Sequence, residues 1–306
     1  MDQALLELGR ALHQRGYSFV TPTPETIRRV NARPGNAAAR DLCGVFGWSR
    51  PFGEGVLPPE LLSLLERAGA LEHHPQAAPA AARFRSAVRF STLERKLFVH
   101  SAYPTTGADA VFFGPDTYRF AALLLRSVER TGRVIDIGCG SGAGGIVLAD
   151  RARQVVLSDI NPLALRYARV NAALAQVEDR VQLVESDVLR SVAGPLDLVV
   201  SNPPYLADDR GRVYRDGGGP RGIDLSVRIA RESLARLSPG GRLLLYTASP
   251  IEGGRDPLRQ ALEPHLSRTR FTYAELDPDV FGEELERPAY STADRIAVIA
   301  LDAVAP

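Results

Sequence analysis

The sequence has little cysteine, almost no lysine and no long apolar run, and each shortage removes a class of protein. Two cysteines, Cys43 and Cys139, stand far apart in 306 residues. They are too few for a disulfide framework and suit a reducing compartment. No run approaches the roughly 18 apolar residues that a membrane-spanning helix needs. The opening Met1-Asp2-Gln3-Ala4 has no basic stretch followed by an apolar core, which argues against a secretory leader. The expected setting is the cytoplasm, with no membrane partner. Charge of one sign is lacking too, since a net charge of +1 does not suit a general polyanion binder. Lys96 is the single lysine; the base composition of the gene explains an arginine-only surface more simply than phosphate contacts do.

What remains is globular. Apolar residues make up 45% and charged residues 24%, which is ordinary for a soluble fold. The length allows one large domain or two modest ones. Residues 1–105 carry 13 basic against 9 acidic side chains, and residues 106–306 carry 24 against 27. The excess is a weak pointer to an acidic partner on the N-terminal side.

From about Arg133 the chain alternates β-branched runs with helical patterns, the mark of a parallel sheet covered by helices. Strands are expected over 133–137, 154–158, 180–184, 196–201, 242–246, 270–275 and 295–301, and helices over 142–151, 162–175, 224–237 and 256–266. Ser238-Pro239-Gly240-Gly241 reads as a helix stop and turn. The expected fold class is α/β, a Rossmann-like seven-stranded sheet whose last strand runs antiparallel. It would fill a domain over 106–306. Residues 1–105 form a second, mainly helical domain, with amphipathic helices over 2–15 and 58–70 and a β-ribbon near 83–100. Helices followed by a ribbon are the parts of a winged-helix module, and substrate recognition is the expected role.

Ile135-Asp136-Ile137-Gly138-Cys139-Gly140-Ser141-Gly142 joins a strand to a helix. Glycines there take backbone angles closed to other residues and let a ligand pass close to the main chain. With Gly138, Gly140 and Ala143 in place, the run also fits a dinucleotide fingerprint. Asp136 tilts the choice toward S-adenosylmethionine: placed just before the glycines, it suits the ammonium of a methionine-like ligand. The second strand ends at Asp159-Ile160, where a carboxylate suits ribose hydroxyls in either cofactor class. Asp187-Val188 follows the third strand, where the acid suits an adenine amino group. Acids at strand ends also cap helices, and that reading stands beside each assignment.

Asn202-Pro203-Pro204-Tyr205 ends the fourth strand, at the edge where open α/β sheets bind ligands. An amide or ring-amino nitrogen is a poor nucleophile because its lone pair is delocalised. Methylating it requires the nitrogen to be held in line, with its N–H groups engaged by acceptors. Asn202 and the Pro203 carbonyl offer two acceptors. Pro203 and Pro204 have no N–H of their own and fix φ. Tyr205 can stack on a flat acceptor. As a bare turn, Asn-Pro-Pro would mean nothing; its register with the glycine loop and Asp159 gives it chemical sense.

These residues resemble class I S-adenosylmethionine-dependent methyltransferases, within them the HemK/PrmC type that methylates a glutamine of peptide-chain release factors. The likeness covers about residues 112–301 and includes Phe113-Gly114-Pro115-Asp116-Thr117, similar to the segment that closes over the cofactor in that family. It implies that Asn202 and Pro203 bind the glutamine amide, that Asp116 and Thr117 join the cofactor site, and that the partner is a release-factor-like protein. Tyr118, the lid 206–221 and the N-terminal region depart from the family pattern. Because the same tetrapeptide serves enzymes acting on adenine N6 or guanine N2, a nucleic-acid partner stays open, as does a small-molecule acceptor. A degenerate domain that only binds is the non-enzymatic alternative. No signature of an oligomeric state is present.

Smaller features carry less. His73-His74 lacks ligand partners at helical spacing and reads as a loop pair, so no metal is expected. Cys139 reads as a small filler, and Trp48 as a core or interface anchor. Arg210, Arg212, Arg215 and Arg221 border the acceptor segment in sequence and offer a grip for an acidic substrate, although Asp208, Asp209 and Asp216 interleave with them.

Overall fold

The computed structural model describes residues 2–73, 82–208, 212 and 214–306. His74, most of the Ala-rich stretch 77–82, Asp209 and Arg210 lie outside the described residues.

The N-terminal part begins with α1 (Asp2–Gln14), whose Leu5, Leu8 and Leu12 share one buried stripe. Next come α2 (Pro24–Asn31) and α3 (Leu42–Phe46), each entered through a side-chain cap: Thr23 accepts the Thr26 N–H, and Asp41 accepts that of Gly44. These two helices escaped the sequence reading because they are only 8 and 5 residues long, too short for an apolar period to stand out. After α4 (Pro59–Arg67) come β1 (Leu71–His73) and β2 (Phe84–Ser86), a short antiparallel pair, then β3 (Val88–Leu93) and β4 (Lys96–Ser101). Glu94 and Arg95 both take positive φ and close the β3–β4 hairpin.

The rest of the chain runs α5 (Pro115–Ser127), β5 (Thr131–Ile137), α6 (Ala143–Leu148), β6 (Ala152–Asp159), α7 (Pro162–Leu174), β7 (Val181–Glu185), β8 (Leu196–Ser201), α8 (Asp224–Leu234), β9 (Leu237–Ile251), α9 (Pro257–Leu266), β10 (Arg270–Asp277) and β11 (Arg295–Val304). The sheet order is β10-β11-β9-β8-β5-β6-β7. Strands β5 to β9 pair in parallel, and β11 runs antiparallel to both its neighbours. This is the Rossmann-like class I arrangement expected from the strand pattern. Alternate side chains separate its two faces. Val134, Leu198 and Val200 pack toward α5 and α6, while Ile135, Val199 and Leu243 pack toward α8 and α9.

One local expectation needs correction. Ser238-Pro239-Gly240-Gly241 is not a turn ahead of the strand but an irregularity inside β9. Leu196 pairs with Leu237, yet Leu198 already pairs with Arg242, and Gly240 at φ +72° absorbs the extra residues.

The ribbon offered as a wing is buried along most of both strands and clasps α7. The Asn171 side chain accepts the Val99 N–H at 2.7 Å and donates to its carbonyl at 3.0 Å, completing the ladder of β4 from the helix. Leu5, Phe46, Phe90 and Val99 share one core with Ala164, Tyr167 and Val170 of α7. This packing sets the N-terminal helices beside the carboxyl edge of the sheet.

Candidate active site

Strand order reverses between β5 and β8, and the crevice opens there. Gly138, Gly140 and Gly142 all take positive φ, +64°, +53° and +79°. A Cβ on Gly138 would meet nothing within 4 Å, and one on Gly140 only Val111 Cγ1 at 3.9 Å. Side chains at either position would project into the crevice, so these two glycines keep a cradle open for a ligand. Gly142 differs: a Cβ there would strike Leu157 at 2.9 Å. It packs helix against strand and does not line the crevice.

Two acids brace the loop. Asp136 is 1% exposed and accepts the Gly145 N–H at 2.7 Å. Burial, with the nearby Asp159 charge adding to it, holds its carboxyl up to about 7. Asp159 accepts the N–H groups of Gly140 at 2.8 Å and Asn161 at 2.9 Å, and burial raises its pKa as well. Beside it Ile160 is 56% exposed, an apolar lip on the crevice wall. Burial pushes the Cys139 thiol up, which keeps it protonated and a poor nucleophile.

At the end of β8, Ser201 donates to the Ile137 carbonyl at 2.7 Å and fixes the acceptor segment against β5. Asn202, Pro203, Pro204 and Tyr205 all line the same crevice as the glycine loop. The Asn202 amide has no hydrogen-bond partner among the described residues. The Tyr205 phenol donates to Asp116 Oδ2 at 2.7 Å, and its pKa lies far above the ordinary value because of burial and that neighbouring charge. Asp116 also accepts the Tyr246 phenol at 2.8 Å, while Thr117 Oγ1 accepts the Gly114 N–H as a helix cap.

One cavity of about 700 Å³ gathers Asp116, Thr117, Asp136, Gly138, Gly140, Asp159, Ile160, Asp187, Val188 and the 202–205 segment. It is large enough for a nucleoside cofactor together with an acceptor side chain. Other expectations meet different surroundings. Both Asp187 oxygens pair with Arg228 at 2.8 Å, so an adenine contact there competes with an ion pair. The lid arginines are not a free cluster: Arg212 grips Asp208, Arg215 grips Glu284, and Arg221 grips Glu252. Tyr118 points away and accepts the Thr21 N–H at 2.9 Å. Trp48, partly buried, meets Phe19 edge-on at the margin of the N-terminal core.

The sequence reading missed a wall. Pro24, Glu25 and Arg28 of α2 line the cavity together with Tyr103, Phe112 and Tyr214. Phe112 and Tyr214 stack at 6.1 Å, and the Tyr214 phenol donates to the Thr105 carbonyl at 2.7 Å, which seats the lid on the 103–112 segment. The cap Thr23-Pro24 was the one readable signal for α2; nothing in the sequence linked it to the crevice.

Comparison with known proteins bears on this site. The family model described as "Methyltransferase small domain" matches residues 109–267. The release factor glutamine methyltransferase of Deinococcus radiodurans is 35% identical over 194 residues, covering 59% of this chain and 66% of that protein. The ribosomal RNA small subunit methyltransferase C of Pasteurella multocida is 33% identical over 127 residues, covering 40% and 34%. The chain thus spans less than two thirds of the length of either relative. Among solved structures, the complex of aTrm5 and tRNALeu superposes with a TM-score of 0.51 at 14% identity, covering 82% of this chain and 68% of that one; it supports the fold alone.

Proposed function

The chain belongs to the methyltransferase small domain family and its cofactor is S-adenosylmethionine, and we propose that it methylates the side-chain amide nitrogen of a glutamine in a protein of the release-factor class. The observation that carries this reading is the shared cavity: Asn202–Tyr205 lines it together with Gly138, Gly140, Asp136 and Asp159. The relative from Deinococcus supports the substrate class by its name.

When bound, the cofactor supplies a methyl group on a positively charged sulfur. The protein's own part is positioning. The open backbone of Gly138 and Gly140 would let the cofactor lie against the main chain, where Asp136 would hold its ammonium end and Asp159 its ribose. Ile160 and Val188, both on the cavity wall, would flank the adenine. Asn202 Oδ1 and the Pro203 carbonyl accept the two N–H bonds of the amide, which turns the nitrogen lone pair toward the methyl group. Pro203 and Pro204 hold these acceptors still, and Tyr205 packs on the flat face of the amide. No strong base is needed, because the nitrogen becomes acidic once it carries the methyl group, and its proton then passes to solvent.

The test is transfer of labelled methyl from S-adenosylmethionine into cell extract separated into protein, RNA and small molecules. Label on a glutamine of a release factor is expected. Label only in RNA or in metabolites refutes the substrate assignment.

A further inference from the structure

Asp116 lies in the first turn of α5 and is 5% exposed. A carboxylate that deep needs donors, and it has three. Oδ2 accepts the Tyr205 phenol at 2.7 Å. Oδ1 accepts the Tyr246 phenol at 2.8 Å and Arg119 Nη1 at 3.2 Å. The two tyrosines come from distant parts of the chain, 89 and 130 residues from the acid. Tyr205 lines the cavity; Tyr246, in the middle of β9, is fully buried outside it. Asp116 therefore joins one tyrosine of the cavity wall to one tyrosine of the core. The Tyr205 ring is tilted 48° against Phe281 at 6.3 Å, and Phe281 also lines the cavity.

From this arrangement we propose that Asp116 is a positioning residue: through Tyr205 it sets the ring that receives the planar acceptor, with Tyr246 as its anchor, and it does not bind the cofactor. Three observations support this over a cofactor contact. Oδ1 already takes two donors, from Tyr246 and Arg119. The donor on Oδ2 is the tyrosine of the acceptor tetrapeptide itself. The second phenol comes from β9, which supplies no residue to the cavity wall, so it meets the acid from the core side. Charge-assisted O–H···O⁻ bonds are short and directional, which suits them to fixing a ring angle. The inference rests on the reading of residues 202–205 as the acceptor clamp.

Full-length Asp116→Asn, Tyr205→Phe, Tyr246→Phe and the double variant Asp116→Asn/Tyr205→Phe test it. In Asp116→Asn the kcat for a glutamine acceptor should fall by about tenfold or more, while the calorimetric Kd for S-adenosylmethionine stays within about threefold of wild type. Tyr246→Phe should lie between wild type and Asp116→Asn. The double variant should be no slower than the slower single one, because the two residues act as one unit. A loss of cofactor affinity of about tenfold or more, losses that multiply in the double variant, or an unchanged kcat with a lower melting temperature each overturn the proposal. A second arm needs no acceptor. In protein labelled with ¹³C at tyrosine Cζ, the Tyr205 signal, assigned from Tyr205→Phe, should move in Asp116→Asn. If it stays in place, the proposal fails. If the signal moves but wild type never methylates glutamine, the glutamine reading fails while the tether from Asp116 to Tyr205 stands.

Discussion

The N–H of Gly140 donates to Asp159 Oδ2 at 2.8 Å, so the acid that ends β6 also holds the glycine loop that follows β5. Under the proposed function one carboxylate has two duties, facing a ribose and keeping the loop in its open form. The other oxygen meets the Asn161 N–H at 2.9 Å.

Asp159→Ala removes both duties. The Kd for S-adenosylmethionine should rise by about tenfold to a hundredfold, equivalent to about 1.4 to 2.8 kcal/mol. Isothermal calorimetry on the purified chain measures it directly. An affinity unchanged from wild type would show that the acid caps the loop and nothing more.

Asn202→Ala should have the opposite signature. The side chain is half-exposed on the cavity wall and bonds to no described residue, so its loss should cost the fold little. Turnover should drop by about a hundredfold or more, as for removal of an oriented polar group at a reacting centre. Cofactor affinity should stay close to wild type. Single-turnover kinetics with saturating cofactor separate the two, and a variant that loses cofactor affinity instead would reverse the assigned roles.

Asp136 gives the site a pH dependence. Its carboxyl moves from an ordinary 3.8 up to about 7 on folding, through burial. The folded protein therefore holds this proton more tightly than the open chain does. The stability this contributes is complete below about pH 4 and is lost as pH rises toward 7, with no further change above. Binding of an ammonium group needs the carboxylate, so cofactor affinity should run the other way. It should climb as pH rises from about 6 to 8, by up to about tenfold per pH unit below 7. Calorimetry across that range should show proton release on binding. Asp136→Asn should bind weakly and without the slope; a slope that survives the substitution would assign it to another group.

The lid stands on Asp208. Its side chain is buried and meets Arg212 at 2.5 Å, Arg215 at 3.6 Å and Arg287 at 4.0 Å. The bonded Arg212 guanidinium holds the carboxyl down near 2, so this support persists until strongly acid pH. Asp208→Ala leaves those arginines with less compensation and should loosen the segment after Leu206. Limited proteolysis should cut the lid several times faster than in wild type, and the acceptor KM should rise more than the cofactor Kd. Equal proteolysis of both proteins would place the lid's support elsewhere.

Much of the catalytic half was legible in the sequence because each signal there is local. A β-branched run, a glycine loop and an acid in register mark strand, turn and strand end, and a parallel sheet is the simplest fold to join them. What stayed hidden depends on contacts far apart in the chain. Asp116 read as part of a cofactor segment, yet its bonds go to Tyr205 and Tyr246; the single clue was a phenol inside the leucine-rich run of β9. The lid arginines read as a grip for an acidic substrate, but Glu252 and Glu284, remote in sequence, take two of them. The wall from α2 depends on how the β3–β4 ribbon clasps α7 through Asn171. An asparagine inside an amphipathic helix gives no sign of that.

A crystal structure of the full chain with S-adenosylhomocysteine and a glutamine-containing peptide of a release factor tests the central claim most directly. The account predicts the glutamine amide nitrogen within hydrogen-bond distance, about 2.7–3.2 Å, of both Asn202 Oδ1 and the Pro203 carbonyl, facing the sulfur across Gly138. A complex in which the amide lies outside this clamp, or the sulfur lies away from the glycine loop, would contradict it.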